Sequence, residues 1–254
     1  MILDQFRLDN QVALVTGATQ GLGQGMALAL AEAGADIVAV DRQDCGETNE
    51  RVRVLRRRCF CFQVDLLKAT PADLQALVNQ VVAQAGRLDI LVNNAGIIRR
   101  APVLEFNEQD WDDVIQINLK SVFFLSQAAA RQMVKQKRGK IVNIASLLAF
   151  QGGILIPSYT AAKSGVAGIT RLMANELGTQ GINVNAIAPG YMETANTAPL
   201  RADANRSASI LSRIPADRWG LPSDLAGAVV FLASSASDYV NGIILPVDGG
   251  WLAR

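Results

Sequence analysis

Ser146, Tyr159 thirteen positions later and Lys163 four positions after that place a hydroxyl, a phenol and an ammonium within one short stretch. The 254-residue chain contains no histidine, so the usual acid/base near neutral pH is absent. Tyr159 is the candidate proton donor and acceptor, although an unperturbed phenol ionises only near ~10. Lys163 at i+4 shares its helical face, and a positive charge there favours the phenolate. Ser146 can donate a hydrogen bond to a substrate oxygen on which charge grows. Near the other end of the chain lies Thr16-Gly17-Ala18-Thr19-Gln20-Gly21-Leu22-Gly23. Such a turn suits a pyrophosphate, and together with the phenol it points to hydride transfer to or from a carbonyl.

Gly17, Gly21 and Gly23 fall between an apolar strand pattern and an apolar helix pattern. Glycines there let the backbone turn sharply and approach a pyrophosphate at a helix N-terminus. Thr19, Gln20 and Leu22 belong to the same turn and are candidate cofactor contacts. Asp41 stands 24 residues after Gly17, at the end of the next strand pattern. A carboxylate there accepts from ribose hydroxyls and repels a 2′-phosphate, which predicts NAD as cofactor. The adjacent Arg42 is the residue that would receive a 2′-phosphate instead.

Apolar runs of strand length at 12–16, 37–40, 59–64, 90–93, 140–144, 183–188 and 243–247 alternate with helical patterns. Continuous apolar strands separated by helices predict an α/β fold. The expected arrangement is a single doubly wound Rossmann domain over 1–254, with a seven-stranded, mostly parallel sheet and helices on both faces. Pro246 places the last strand at an edge. One helix is expected to start after Asn107, with Asp110 as its acidic N3 partner. Trp111, Val114, Ile115, Val122, Leu125 and Met133 lie on its apolar stripe.

The net charge is +1, which gives no electrostatic footprint for nucleic acid and no polybasic membrane segment. No charge occurs over the 22 residues between Lys140 and Lys163, but Asn143, Gln151, Gly152, Gly153 and Pro157 interrupt them and argue against a membrane span. The start, Met1-Ile2-Leu3-Asp4-Gln5-Phe6, lacks the pattern of a signal peptide, and a cytoplasmic protein is expected. Cys45, Cys59 and Cys61 do not match zinc spacing and read as scattered buried hydrophobes, so no metal is expected.

The turn at 16–23, Asn93-Asn94-Ala95-Gly96, Asn118, Ser146, Tyr159-x-x-x-Lys163 and Pro189-Gly190 occur in an order that resembles the short-chain dehydrogenase/reductase family. The resemblance covers nearly the whole chain. It implies that Asp65 and Leu66, after the third strand, and Asn93, Ala95 and Gly96 contact the adenosine side. Pro189, Gly190, Met192 and Thr194 would cradle the nicotinamide, and Tyr159 and Lys163 would touch the nicotinamide ribose side. It further implies that Asn118 kinks its helix and positions a water relaying protons to Lys163. The active form it implies is a homotetramer, with interfaces at the Asn118 and Tyr159 helices and at the Trp251-Leu252-Ala253-Arg254 tail.

Further stretches, among them Ile97-Ile98-Arg99-Arg100, Phe150-Gln151-Gly152-Gly153, Pro189-Gly190-Tyr191-Met192 and Asp248-Gly249-Gly250-Trp251, resemble the deoxy-sugar-acid dehydrogenases of that family. They imply a small-molecule substrate such as 2-dehydro-3-deoxy-D-gluconate, from the breakdown of pectin-derived uronates, interconverted with its 5-keto form. A carboxylate substrate calls for a cation. Arg99 and Arg100 follow the cofactor turn, and Arg201, Arg206 and Arg213 lie in or near the implied substrate lid, about 190–215. Gln151 and Tyr191 are candidates for substrate hydroxyls. The alternatives are another polyol or gluconate dehydrogenase, a 3-oxoacyl-thioester reductase, and a non-catalytic dinucleotide-binding regulator.

Overall fold

The computed structural model describes all 254 residues, Met1–Arg254. Seven strands form one sheet: β1 (Val12–Thr16), β2 (Asp36–Asp41), β3 (Cys59–Gln63), β4 (Ile90–Asn93), β5 (Gly139–Ile144), β6 (Ile182–Pro189) and β7 (Ile244–Val247). Their order is β3-β2-β1-β4-β5-β6-β7, and every neighbouring pair is parallel, where a mostly parallel sheet was expected. Side chains alternate through the sheet, so each strand feeds two cores. Ala13 and Val15 join one buried cluster and Val12 and Leu14 another, each of 24 residues, so the two faces are covered equally.

The covering helices are α1 (Gly21–Glu32), α2 (Gly46–Val54), α3 (Pro71–Ala85), α4 (Glu108–Ile115), α5 (Ser121–Gln136), α6 (Pro157–Leu177), α7 (Ala198–Ala202), α8 (Ala204–Leu211) and α9 (Ala226–Ala233). Helices α1 and α9 supply residues to the first core and α3 and α5 to the second. Pro246 sits in β7, which pairs only with β6, so its missing N–H costs no ladder bond on the open side. The strand order reverses between β1 and β4. That opens a crevice beyond their C-terminal ends, where an open parallel sheet binds ligands.

The Asn107 side chain caps α4 by accepting from Asp110 N at 2.8 Å, as its spacing predicts. The helix after it is not uniform. Residues Gln116–Lys120 form a π-helical turn between α4 and α5, and Ser121 Oγ donates to Gln116 O at 2.8 Å across it. Trp111 departs from the expected buried stripe and remains 41% exposed, whereas Val114 on the same helix is fully buried. The N-terminal segment packs through Leu8, fully buried, and Phe6, whose ring lies 6.3 Å from that of Phe231.

The cysteines require a correction. Only Cys45 is buried; Cys59 is half-buried and Cys61 exposed. Nor are they scattered, because the β2–β3 register sets Cys61 beside Ala39, whose carbonyl accepts from Cys45 Sγ at 3.7 Å. Cys61 Sγ in turn donates to Cys45 O at 3.9 Å. Adjacent edge strands bring together residues that sequence distance separates.

Candidate active site

The crevice is a cleft of about 490 Å³ whose lining runs from the glycine turn to Tyr159 and Lys163. Gly17 takes the left-handed conformation at φ 66°, and a Cβ there would meet Asn94 Nδ2 at 2.8 Å. A Cβ on Gly23 would fall 2.0 Å from Gly17 O, so α1 can start this close to β1 only with glycine. Thr16 Oγ1 accepts from both Asn94 N and Ala95 N at 3.0 Å, which locks the turn after β4 onto the turn after β1. The cradle therefore exposes backbone where a pyrophosphate would lie.

Gly17, Thr19, Gln20, Gly21, Leu22, Gly23, Asp41, Asp65, Leu66, Ala95, Gly96, Pro189, Gly190, Met192 and Thr194 all line this cleft. Asn93 does not. Its side chain is buried beneath the sheet edge, donating to Ser126 Oγ and Asn143 Oδ1 at 2.8 Å each. Asn94 lines the cleft in its place and donates to Thr16 O at 2.9 Å. Strand alternation explains the exchange, since consecutive side chains at the end of β4 point to opposite sides. Arg42, beside Asp41, and Ile98, beside Arg99, also line it, as do Gln43, Val64 and Leu67, which carry no motif that would single them out.

Asp41 is held by the protein itself. Its Oδ2 accepts from Thr19 Oγ1 at 2.8 Å and Thr19 N at 3.2 Å, and its Oδ1 accepts from Gln43 N at 3.2 Å. Arg42 beside it has no carboxylate within ion-pair distance.

At the other end of the cleft, Ser146 caps the short helical turn Leu147–Ala149 after β5, accepting from Leu148 N at 3.3 Å. Tyr159 stands near the start of α6 and lines the same cleft as Ser146. Lys163, one turn on, is buried, with Nζ 5.5 Å from the Tyr159 ring centroid and donating to Ile144 O at 2.5 Å. Burial pushes the phenol up to about 12, against the opposing pulls of the Ser146 hydrogen bond and the Arg100 charge. Burial likewise pushes Lys163 down to about 8. Desolvation is thus the largest influence on both groups.

Asn118 sits in the π-helical turn, fully buried, behind the cleft wall. Its Oδ1 accepts from Ile97 N at 2.9 Å and its Nδ2 donates to Ile97 O at 3.0 Å. The side chain thus fixes the loop that continues from Gly96. The expected kink takes the form of a widened helical turn, a feature frequent at functional sites.

The substrate candidates divide. Arg99 lines the cleft but is paired with Asp110 at 3.1 Å and Asp113 at 3.3 Å. Arg100 lies outside the cleft lining, is exposed, has no carboxylate partner and donates at 3.1 Å to the carbonyl of Asn196, which does line it. Arg201 pairs with Glu193 at 3.6 Å. Gln151, Tyr191 and Arg213 lie outside the cleft lining. Trp251 gathers all three: its Nε1 donates to Gln151 Oε1 at 3.1 Å, its ring lies 4.8 Å from that of Tyr191, and the Arg213 guanidinium stacks 3.9 Å over it. These contacts pack segment 191–219 against the C-terminal tail, and Trp251 is buried within the chain.

The model for the short chain dehydrogenase family matches residues 11–205. A relative from Escherichia coli (strain K12), named 2-dehydro-3-deoxy-D-gluconate 5-dehydrogenase, is 62% identical over 255 residues, covering 100% of both chains. Among solved structures, a candidate 2-deoxy-D-gluconate 3-dehydrogenase from Agrobacterium tumefaciens with bound NADP is 55% identical, with a TM-score of 0.92 over 98% of this chain and 99% of that one. A gluconate 5-dehydrogenase from Burkholderia cenocepacia J2315, in complex with NADP and tartrate, is 41% identical, with a TM-score of 0.95 over 100% of each chain.

Proposed function

The chain belongs to the short-chain dehydrogenase family, and from that premise we propose that it interconverts 2-dehydro-3-deoxy-D-gluconate and its 5-keto form with NAD as preferred cofactor. The observation that carries the reading is the continuity of one cleft from the glycine turn and Asp41 to Ser146, Tyr159 and Lys163. The name of the E. coli relative supports the sugar acid. The fixed carboxylate of Asp41 at the expected ribose position supports NAD, while the unpaired Arg42 leaves room for NADP as a second, weaker cofactor.

A nicotinamide dinucleotide in the cleft supplies the hydride acceptor or donor. The glycine turn would receive its pyrophosphate and Asp41 its ribose hydroxyls. On oxidation, Tyr159 Oη takes the hydroxyl proton of the substrate; on reduction, it returns that proton to the forming alkoxide. Ser146 Oγ donates a hydrogen bond to the same oxygen. Lys163, protonated, keeps positive charge beside the phenol, and the positive ring of the oxidised cofactor adds to it. Arg100 has no carboxylate partner and reaches the carbonyl of Asn196 in the cleft lining, and it is the residue proposed to receive the substrate carboxylate.

The test is the initial rate of reduced-cofactor formation with 2-dehydro-3-deoxy-D-gluconate, gluconate and a 3-hydroxyacyl thioester, each with NAD or NADP. Preference for the deoxy sugar acid with NAD is expected. Activity confined to another compound would reassign the substrate. A homotetramer belongs to the same proposal, supported by Trp111 and Leu172, both more than two-fifths exposed on α4 and α6. Sedimentation equilibrium at the assay concentration reads it directly.

A further inference from the structure

Five non-glycine residues adopt positive φ, and Leu155, at 65°, is the sole aliphatic one among them. It lies in the loop between Ser146 and Tyr159. A branched aliphatic residue rarely takes this left-handed conformation without a compensating contact. Burial of the side chain is not the compensation, since Leu155 is 49% and Ile154 67% exposed. The backbone supplies it: Leu155 O accepts a hydrogen bond from Ala101 N at 3.0 Å.

That bond closes a set of restraints on segment 97–101. Asn118 holds Ile97 at both its N–H and its carbonyl. Asp110 and Asp113 hold the Arg99 guanidinium. Leu155 holds Ala101. Between the last two anchors stands Arg100, at the rim of the cleft, whose side chain reaches the carbonyl of Asn196 in the lining. Arg100 is therefore flanked by two ties, the Arg99 side chain to α4 on one side and the Ala101 amide to the loop after Ser146 on the other.

We propose that Leu155 is a positioning residue, whose left-handed backbone turns its carbonyl onto Ala101 N and so sets the Arg100 guanidinium to receive the anionic group of the substrate. The inference rests on the sugar-acid reading for the identity of that group; the clasp itself does not. Leu155→Gly and Leu155→Val separate conformation from side chain. Glycine takes φ near 65° freely, whereas a β-branched valine is driven out of it.

Three readouts decide it: amide exchange at Ala101 without ligands, reduced-cofactor Kd, and KM for the deoxy sugar acid. Wild type and Leu155→Gly should protect the Ala101 amide and share KM within about twofold, since both hold the turn. Leu155→Val should lose that protection and raise KM about tenfold, as expected for misplacing a charge-assisted contact, with cofactor Kd unchanged to show that the variant is folded. In an Arg100→Met background the same substitution should add little, because both act through one contact. Full additivity in that background, an unprotected Ala101 amide in wild type, or a wild-type KM in Leu155→Val would each overturn the proposal while the substrate reading stood. Absence of turnover of the acid by wild type would overturn the substrate reading, and the role of Arg100 with it, even if the Ala101 amide were protected.

Discussion

Lys163 Nζ lies 5.5 Å from the Tyr159 ring centroid yet gives its hydrogen bond to Ile144 O at the C-terminal end of β5. The pair is thus poised side by side with the lysine anchored to the sheet. Burial pushes both groups toward their neutral forms, with the phenol at about 12 and the amine at about 8, so near neutral pH the phenol is neutral and the amine still protonated. A phenolate competent near neutral pH then requires more positive charge than the lysine supplies, and the oxidised cofactor and Arg100 are the available sources.

Tyr159→Phe deletes the proposed proton carrier and leaves the ring volume in place. Turnover should fall by at least about a thousandfold, within the range general acid–base catalysis contributes. Reduced-cofactor affinity, measured by fluorescence titration, should change little. Retained turnover would remove Tyr159 from the chemistry.

Lys163 makes a stability prediction with a definite sign. Its folded-state pKa, about 8, lies below the ordinary 10.5, so the unfolded chain binds more protons between these values. Its contribution is present above about 10.5 and is lost as pH falls through about 8. Unfolding free energy should therefore rise with pH above about 8 in wild type relative to Lys163→Met. The difference should reach about 1–2 kcal/mol by pH ~9.5, at up to ~1.4 kcal/mol per pH unit. Tyr159 titrates higher still and does not reverse the trend in that window. Parallel urea-unfolding curves for the two proteins across the range would show that Lys163 is not desolvated.

Asp41 and Arg42 set the cofactor ratio. Thr19 and Gln43 hold the carboxylate in one orientation, so its charge stands at the ribose edge of the cleft. Asp41→Ser should lower kcat/KM with NAD, raise it with NADP, and narrow the ratio about tenfold or more, equivalent to ~1.4 kcal/mol. Arg42→Ala should depress only the NADP rate. A ratio unmoved by Asp41→Ser would mean that this carboxylate serves the turn alone.

What was legible in the sequence follows from how local each feature is. The strand runs at 12–16 and 90–93 coincide with β1 and β4, because strands buried on both faces must be apolar throughout. The glycine turn and the Tyr159/Lys163 pair are equally local, one a loop and the other a single helical turn. Asn93 and Asn94 could not be told apart without the direction of the strand end. The partners of the arginines were also hidden: Arg99 meets Asp110 and Asp113 through a loop-to-helix contact, and Arg213 meets Trp251 only once the tail folds under the lid. The left-handed turn at Leu155 has no signature, since leucine is not the residue that such a turn favours.

Asn118 should be structural before it is anything else. Both polar atoms of its amide are spent on Ile97, and the side chain is fully buried. Asn118→Leu leaves the Ile97 N–H and carbonyl unpaired, at a cost on the order of 2–4 kcal/mol in urea denaturation. Cofactor affinity should fall as well, because Gly96 and Ile97 line the cleft. Wild-type stability in this variant would show that the loop finds other partners.

The thiol cluster at the β2–β3 edge predicts graded reactivity. Thiolate is the reacting species, so exposure and pKa together set the rate. Cys45 is buried and pushed up to about 12, chiefly by desolvation and then by Cys61. Cys59 is half-buried and also pushed up to about 12 by the same two causes in the same order. Cys61 is the exposed member. A chromogenic disulfide reagent at pH ~7.5 should therefore label one thiol per chain quickly and the other two only on unfolding. Cys61→Ser should abolish the fast phase. Because Arg42 and Gln43 of the cleft lie between β2 and Cys45, bound cofactor should slow the labelling if the edge and the adenosine end of the cleft move together. Fast labelling of two or three thiols in the folded protein would mean that this edge opens on the timescale of the reaction.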